Sequence, residues 1–239
     1  MKTIKVLMIG NSFAVDAAHF THNISLNSEC ILEVHVLYIG GCSLETHAKH
    51  INEEIYDYEY FINGESTGKY ISLQQALSLD NFDYITLQQV SGLGGIKDSF
   101  YPYIKNLMKY VKIYQPKAEF VLHETWAYPS YSKHEDFSKY HNDHQTMLEK
   151  IHETYRDVAR ELDINKIIPS GDIIEAAICE YGEIFYRDDF HLNEKGRFLA
   201  ALGFVYIFNK NKISNIYKAF ETNENDIYNE LAYRAVNNR

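Results

Sequence analysis

Apolar runs of strand length alternate along the chain with longer segments in which apolar residues recur every three or four positions. That alternation is the mark of βαβ units, and it predicts an α/β fold with a mostly parallel sheet covered by helices on both faces. Five strands are expected: Ile4 to Ile9, Leu32 to Ile39, Tyr84 to Leu87, Phe120 to His123 and Lys166 to Ile168. Helical periodicity predicts helices at about Asp16 to Ser28, Leu44 to Glu54, Leu73 to Leu79, Phe100 to Tyr114, Gln145 to Glu161, Asn193 to Phe208 and Asp226 to Asn237. Tyr56 to Ser72 breaks the pattern. Its aromatic-rich alternation on either side of Asn63-Gly64 predicts a small β-hairpin insertion, a flap or edge ribbon. No linker-like stretch, charge shift or internal repeat divides the chain, so residues 1–239 are expected to form one domain.

Composition narrows the partners. Acidic residues outnumber basic ones by 33 to 23, a formal charge of -10, which argues against a phosphate-tracking nucleic-acid binder and against a surface seeking anionic lipid. A small or neutral partner fits better. No apolar run reaches the roughly 18 residues of a membrane span, and the N-terminal MKTIKVLMIG passes directly into the first strand without a signal-peptide pattern. The three cysteines, Cys30, Cys42 and Cys179, have neither disulfide nor CxxC spacing. A cytoplasmic location is the expectation; oligomeric state is not legible.

Ligands of open parallel sheets sit beyond the carboxyl ends of the strands, so the segments following each strand bear the chemistry. These segments are Gly10 to Ala14, Gly40 to Ser43, Gln88 to Gly92, Glu124 to Pro129, and, after a helix, Arg187 to Asn193. Ser12 lies in a tight strand-to-helix turn, where a hydroxyl can be either a nucleophile or a helix cap. Asp188 and His191, three residues apart, can place a carboxylate against an imidazole and fix its tautomer. Asp189 is the competing orienting acid by position alone.

The order of these residues, serine early and an Asp-x-x-His pair late, resembles the SGNH, or GDSL-like, hydrolases. Gly10-Asn11-Ser12-Phe13 stands where that family carries its nucleophile block, Gly41 (with Gly40 adjacent) matches its oxyanion glycine, and Asp188 with His191 match its last block. The Gln-Gln-Val-Ser-Gly, Thr125-Trp126-Ala127-Tyr128 and Phe190-His191-Leu192-Asn193 segments look like a bacterial branch related to carbohydrate esterases. The resemblance spans about residues 4 to 208 and implies a flavodoxin-like three-layer αβα sandwich with a catalytic triad of Ser12, His191 and Asp188. It also implies an oxyanion hole including the N–H groups of Ser12 and Gly41. One block departs: where the family carries Gly-x-Asn, this chain has Leu87-Gln88-Gln89. A glutamine amide offers the same donors on a longer stem, so Gln88 or Gln89 is expected in place of the asparagine, with a helix cap or sheet edge as the other role for either.

Short acyl esters, acetyl esters on glycans in particular, are the expected substrates, with a thioesterase or lysophospholipase-like hydrolase and a non-catalytic carbohydrate-binding protein as alternatives. Trp126 and Tyr128, on the loop after the fourth strand, could stack on sugar faces, and Asn11 beside Ser12 joins them as a candidate substrate contact. The opposite role for Trp126 is to anchor its loop. No metal or organic cofactor is expected: the histidine pairs His19 with His22, His47 with His50 and His141 with His144 lack an HExxH motif or a cysteine cluster, and Gly92 to Gly95 lacks dinucleotide-loop spacing. Cys42 reads as a small buried residue rather than a reactive thiol.

Overall fold

The computed structural model describes residues 2–53 and 55–237. Five parallel strands form the centre: β1 (Lys2–Gly10), β2 (Cys30–Tyr38), β5 (Tyr84–Leu87), β6 (Glu119–Glu124) and β7 (Ile167–Pro169). In β1 the run Val6 to Ile9 is buried on both faces, as a central parallel strand requires. The hairpin strands β3 (Tyr58–Ile62) and β4 (Glu65–Ile71) join antiparallel at one edge, giving the order β4-β3-β2-β1-β5-β6-β7.

The sheet therefore has seven strands rather than the five expected. The segment between Tyr56 and Ser72 is a hairpin, but it extends the sheet instead of standing off it. Asn63 and Gly64 both adopt positive φ (52° and 88°), the conformation of a type I′ turn. Asn63 then pins the turn to β2: its N–H donates to the Val34 carbonyl at 2.7 Å, and its Oδ1 accepts from the Val34 N–H at 2.9 Å. A side chain at Gly64 would strike the His19 carbonyl, so glycine is needed there for space as well as conformation.

Helices cover both faces. The first predicted helix is two short ones, α1 (Ser12–Ala18) and α2 (Thr21–Ser25); then come α3 (Leu44–Lys49), α4 (Leu73–Leu79), α5 (Tyr103–Tyr114), α6 (His144–Glu161) and α7 (Ser170–Tyr181). α8 (Glu194–Phe208) is buried almost all round, from Gly196 to Tyr206, because it packs on α1, α2, α7 and β7 on one side and under α9 (Thr222–Asn237) on the other. Among the described residues no helix is long and apolar enough to cross a membrane.

Candidate active site

β1 ends at Gly10, and Asn11 caps α1 by accepting the Phe13 N–H at 3.1 Å on its Oδ1. Ser12 is thereby held at the first position of the helix, above the carboxyl edge of the sheet. Its Oγ lies 2.9 Å from His191 Nε2, and His191 Nδ1 lies 2.8 Å from Asp188 Oδ2. The other Asp188 oxygen accepts the N–H groups of His191 (2.7 Å) and Phe190 (3.0 Å). Partial burial would raise the pKa of this carboxyl, but the two N–H bonds and the imidazole outweigh it and hold it below the ordinary aspartate value. Asp189 faces elsewhere and accepts the Lys133 N–H at 3.2 Å.

The loop bearing Asp188 and His191 is fastened to the helix bearing Ser12 by a residue that the sequence pattern did not single out. Asp16, one helical turn after Ser12 and only 1% exposed, accepts from Arg187 Nη1 at 3.0 and 3.1 Å, from Arg197 Nε at 2.8 Å and from the Leu192 N–H at 3.1 Å. Arg187 and Leu192 bracket the Asp188–His191 segment. One buried carboxylate thus ties the helix carrying Ser12 to the segment carrying Asp188 and His191. Its sequence signal was a lone acid inside the apolar run Phe13-Ala14-Val15-Asp16-Ala17-Ala18.

Ser12 and His191 open into a pocket of about 210 Å³. Tyr38, Gly41, Val90 and Phe190 contribute to its walls, and Ser91, His134 and Asp136 add polar groups. Gly41 sits at φ +63° with open space where a side chain would be, so the left-handed backbone, and not crowding, favours glycine.

Four expectations need correction. Gln88 and Gln89 do not reach the pocket as donors. Gln88 Nε2 donates to Asn11 Oδ1 at 2.9 Å, and its Oε1 faces His123 Nδ1 at 2.7 Å; Gln89 Nε2 donates to the Ser99 carbonyl at 2.8 Å, and its Oε1 accepts from Leu44 N–H at 3.0 Å. Both amides are buried and already satisfied, so turning either towards the pocket would strand buried partners. Trp126 does not present a stacking face to a ligand: it is fully buried, stacked on Phe13 at 4.0 Å, with its Nε1 donating to the Phe190 carbonyl at 2.8 Å. It is the anchor behind the serine and histidine segments. Asn11 borders the pocket, but its side-chain oxygen takes two donors and its Nδ2 donates to the Cys42 carbonyl at 3.1 Å, so its amide is committed to the protein. Tyr128 also borders the pocket, but it is as fully buried as Trp126, with its hydroxyl 2.8 Å from Ser91 Oγ, so it presents no open ring face for a sugar to stack on.

Cys42 is buried, and burial pushes its thiol up to about 12, unsuited to a nucleophile. Among the histidines of the predicted pairs, His22 Nδ1 lies 2.8 Å from the Leu32 carbonyl, His47 Nδ1 2.9 Å from the Tyr58 hydroxyl and His144 Nδ1 2.6 Å from the Tyr128 carbonyl. Away from the pocket, Glu124, His152 and Asp172 place one ligand atom each within 4.8 Å of one another. Burial works against a charge on His152, yet Asp172 at 2.6 Å and Glu124 at 3.4 Å outweigh it and raise its pKa above the ordinary histidine value.

Comparison with known proteins agrees with this architecture. A family model described as a domain of unknown function, DUF4886, matches residues 5–235. A crystal structure of a DUF4886 family protein from Bacteroides uniformis is 30% identical, with a TM-score of 0.92 over 98% of this chain and 95% of that one. A protein from Slackia heliotrinireducens described as a candidate SGNH hydrolase is 22% identical, with a TM-score of 0.60 over 87% of this chain and 100% of its own. A catalytic mutant of an acetylxylan esterase from Geobacillus stearothermophilus is 11% identical, with a TM-score of 0.54 over 87% of this chain and 95% of that one. No curated protein matches the sequence. The chain belongs to the DUF4886 family and has the fold of the SGNH hydrolases.

Proposed function

We propose that the protein is a serine esterase that removes short acyl groups, acetyl above all, from hydroxyl-rich alcohols such as carbohydrates. The observation that carries this is the unbroken contact from Ser12 Oγ through His191 to Asp188 at the mouth of a pocket. With Nδ1–H donated to the Asp188 carboxylate, His191 Nε2 is free to accept the serine proton. Ser12 attacks the ester carbonyl carbon. His191 then hands the proton to the departing alcohol, leaving an acyl-serine that water, activated by the same imidazole, releases as the acid. The backbone N–H groups of Ser12 and Gly41 are assigned to the oxyanion that forms in both steps.

Size and charge support the substrate class. A space of about 210 Å³ is smaller than the roughly 300–1,000 Å³ that drug-sized ligands occupy, which favours a short acyl group over a fatty chain. Among the described residues lining it there is no lysine or arginine, whereas an anionic thioester carrier would call for one. His134 and Asp136 add polar side chains to the pocket lining, as does Ser91, whose hydroxyl is shared with Tyr128. The acetylxylan esterase with this fold points the same way.

Hydrolysis of p-nitrophenyl acetate, butyrate and octanoate by wild type and Ser12→Ala tests the proposal. Acetate should be cleaved fastest, and Ser12→Ala should fall to background with its circular dichroism unchanged. Equal rates for the two proteins would remove Ser12 from the chemistry and leave a binding protein on this fold.

A further inference from the structure

Beneath the pocket floor, a line of buried side chains crosses the carboxyl edge of the sheet in strand order. It begins in the loop after β2, at the Cys42 carbonyl, which accepts Asn11 Nδ2–H at 3.1 Å. After β1, Asn11 Oδ1 accepts both the Phe13 N–H at 3.1 Å and Gln88 Nε2–H at 2.9 Å. After β5, Gln88 Oε1 lies 2.7 Å from Nδ1 of His123, which is on β6, and His123 Nε2 lies 2.9 Å from the hydroxyl of Ser170, which follows β7. All four side chains are at least 98% buried.

Two backbone groups set the direction of every bond in the line. The Cys42 carbonyl can only accept and the Phe13 N–H can only donate, so the Asn11 amide has one orientation. Asn11 Oδ1 then requires the NH₂ of Gln88, which turns the Gln88 oxygen towards His123. That oxygen requires Nδ1–H on the ring, leaving Nε2 to accept the Ser170 hydroxyl proton. Burial keeps the ring neutral, with a pKa of about 3, as this tautomer demands.

We propose, building on the serine-esterase reading, that Asn11, Gln88 and His123 are positioning residues that hold a two-donor oxyanion hole in register. Asn11 is the hub. Its amide joins the turn carrying Ser12 N–H directly to the loop carrying Gly41 N–H, and Gln88 with His123 stops that amide from rotating. The amide that would complete the hole from the third loop in the related hydrolases is thus used below the hole, to fix the two backbone donors. Such a device acts on the transition state, because donors misplaced by a fraction of an ångström still admit substrate but no longer meet the oxyanion.

The test is p-nitrophenyl acetate kinetics of Gln88→Met, His123→Leu and His123→Asn, with thermal midpoints recorded alongside. Gln88→Met keeps the length but removes both amide functions. Its kcat should fall about 10- to 100-fold, the scale of an ångström-sized misplacement, while KM stays within about twofold. His123→Leu should show the same split. His123→Asn, whose amide N–H can replace Nδ1–H, should regain most of the kcat lost in His123→Leu. If His123→Leu fails to fold, Gln88→Glu replaces it: an acceptor of equal size put against Asn11 Oδ1 should lower kcat alone. Wild-type kcat in Gln88→Met, or equal losses in the two His123 variants in step with their thermal midpoints, would overturn the positioning role while leaving the esterase reading intact. A wild type with no Ser12-dependent turnover would instead overturn the esterase reading and the positioning role with it.

Discussion

The two ends of the sheet hold cavities of very different promise. At the amino ends of β1, β5 and β6 lies a space of about 460 Å³, bordered by Lys2, Phe82, Asp83, Tyr84, Gln115 and Glu119. It is more than twice the size of the pocket at the carboxyl ends. Its central amide is already used: Gln115 Oε1 accepts the Phe82 N–H, and its Nε2 donates to the Leu77 and Asp80 carbonyls. The smaller pocket holds a hydroxyl and an imidazole in direct contact, with one imidazole nitrogen engaged by a carboxylate. Volume reflects how turns happen to close. Reactivity reflects where polar groups are left facing solvent with a partner behind them, which parallel sheets provide at the carboxyl ends of their strands.

Ser12→Ala should separate the two ends most sharply, lowering kcat by about 10⁶-fold and abolishing fluorophosphonate labelling, whereas Lys117→Ala at the amino-end cavity should leave both at wild-type values. Next comes the acid. Asp188→Ala should cost about 10⁴-fold in kcat, and Asp189→Ala, whose carboxylate only caps the Lys133 N–H, should change it less than threefold. A reversed order would exchange their roles.

Asp16→Ala removes a buried carboxylate shared by two arginines, so chemical denaturation should show a loss of about 3 kcal/mol, together with a fall in kcat as the Asp188–His191 loop shifts. No such coupling is expected for acids around the amino-end cavity. The smallest effect concerns pH. His144 donates to the Tyr128 carbonyl and meets Glu175 at 2.7 Å; burial opposes its charge, but Glu175 and that carbonyl raise its pKa, while His144 lowers that of Glu175. A raised histidine stabilises the fold below its unfolded pKa near 6.5 and loses that contribution as pH climbs through the folded value; a lowered glutamate contributes above about 4.5 and loses it in acid. Thermal unfolding of wild type and His144→Gln should therefore differ most between about pH 5 and 6, by about 1 kcal/mol, and converge in alkali.

The two ends of the sheet also differ in how far local sequence reveals them. Ser12 was legible as a candidate because it starts a helix directly after β1, and Asp188 with His191 because their spacing of three lets a short loop ahead of α8 bring carboxylate and imidazole together. The glutamines were legible as amides in the right loop, but not in their direction. Trp126 was open between ligand platform and loop anchor. Asp16 went unread because its partners, Arg187 and Arg197, lie about 170 to 180 residues away along the chain. The hairpin was legible as a hairpin, yet its place as an extension of the sheet came from β3 pairing antiparallel with β2, from His35–Ile62 to Tyr38–Glu59, with Asn63 closing on Val34 beyond the ladder.

Periodicity, turn chemistry and the order of short motifs determined the α/β class, the five parallel strands and the rim on which chemistry could occur, since these follow from local backbone preference and from which face must be buried. Tertiary structure decided everything that depends on the aim of a side chain: which carboxylate meets His191, which end of each glutamine points where, and whether a tryptophan faces ligand or core. A buried amide or acid takes whatever orientation satisfies its neighbours, and those neighbours are assembled only when distant strands come side by side.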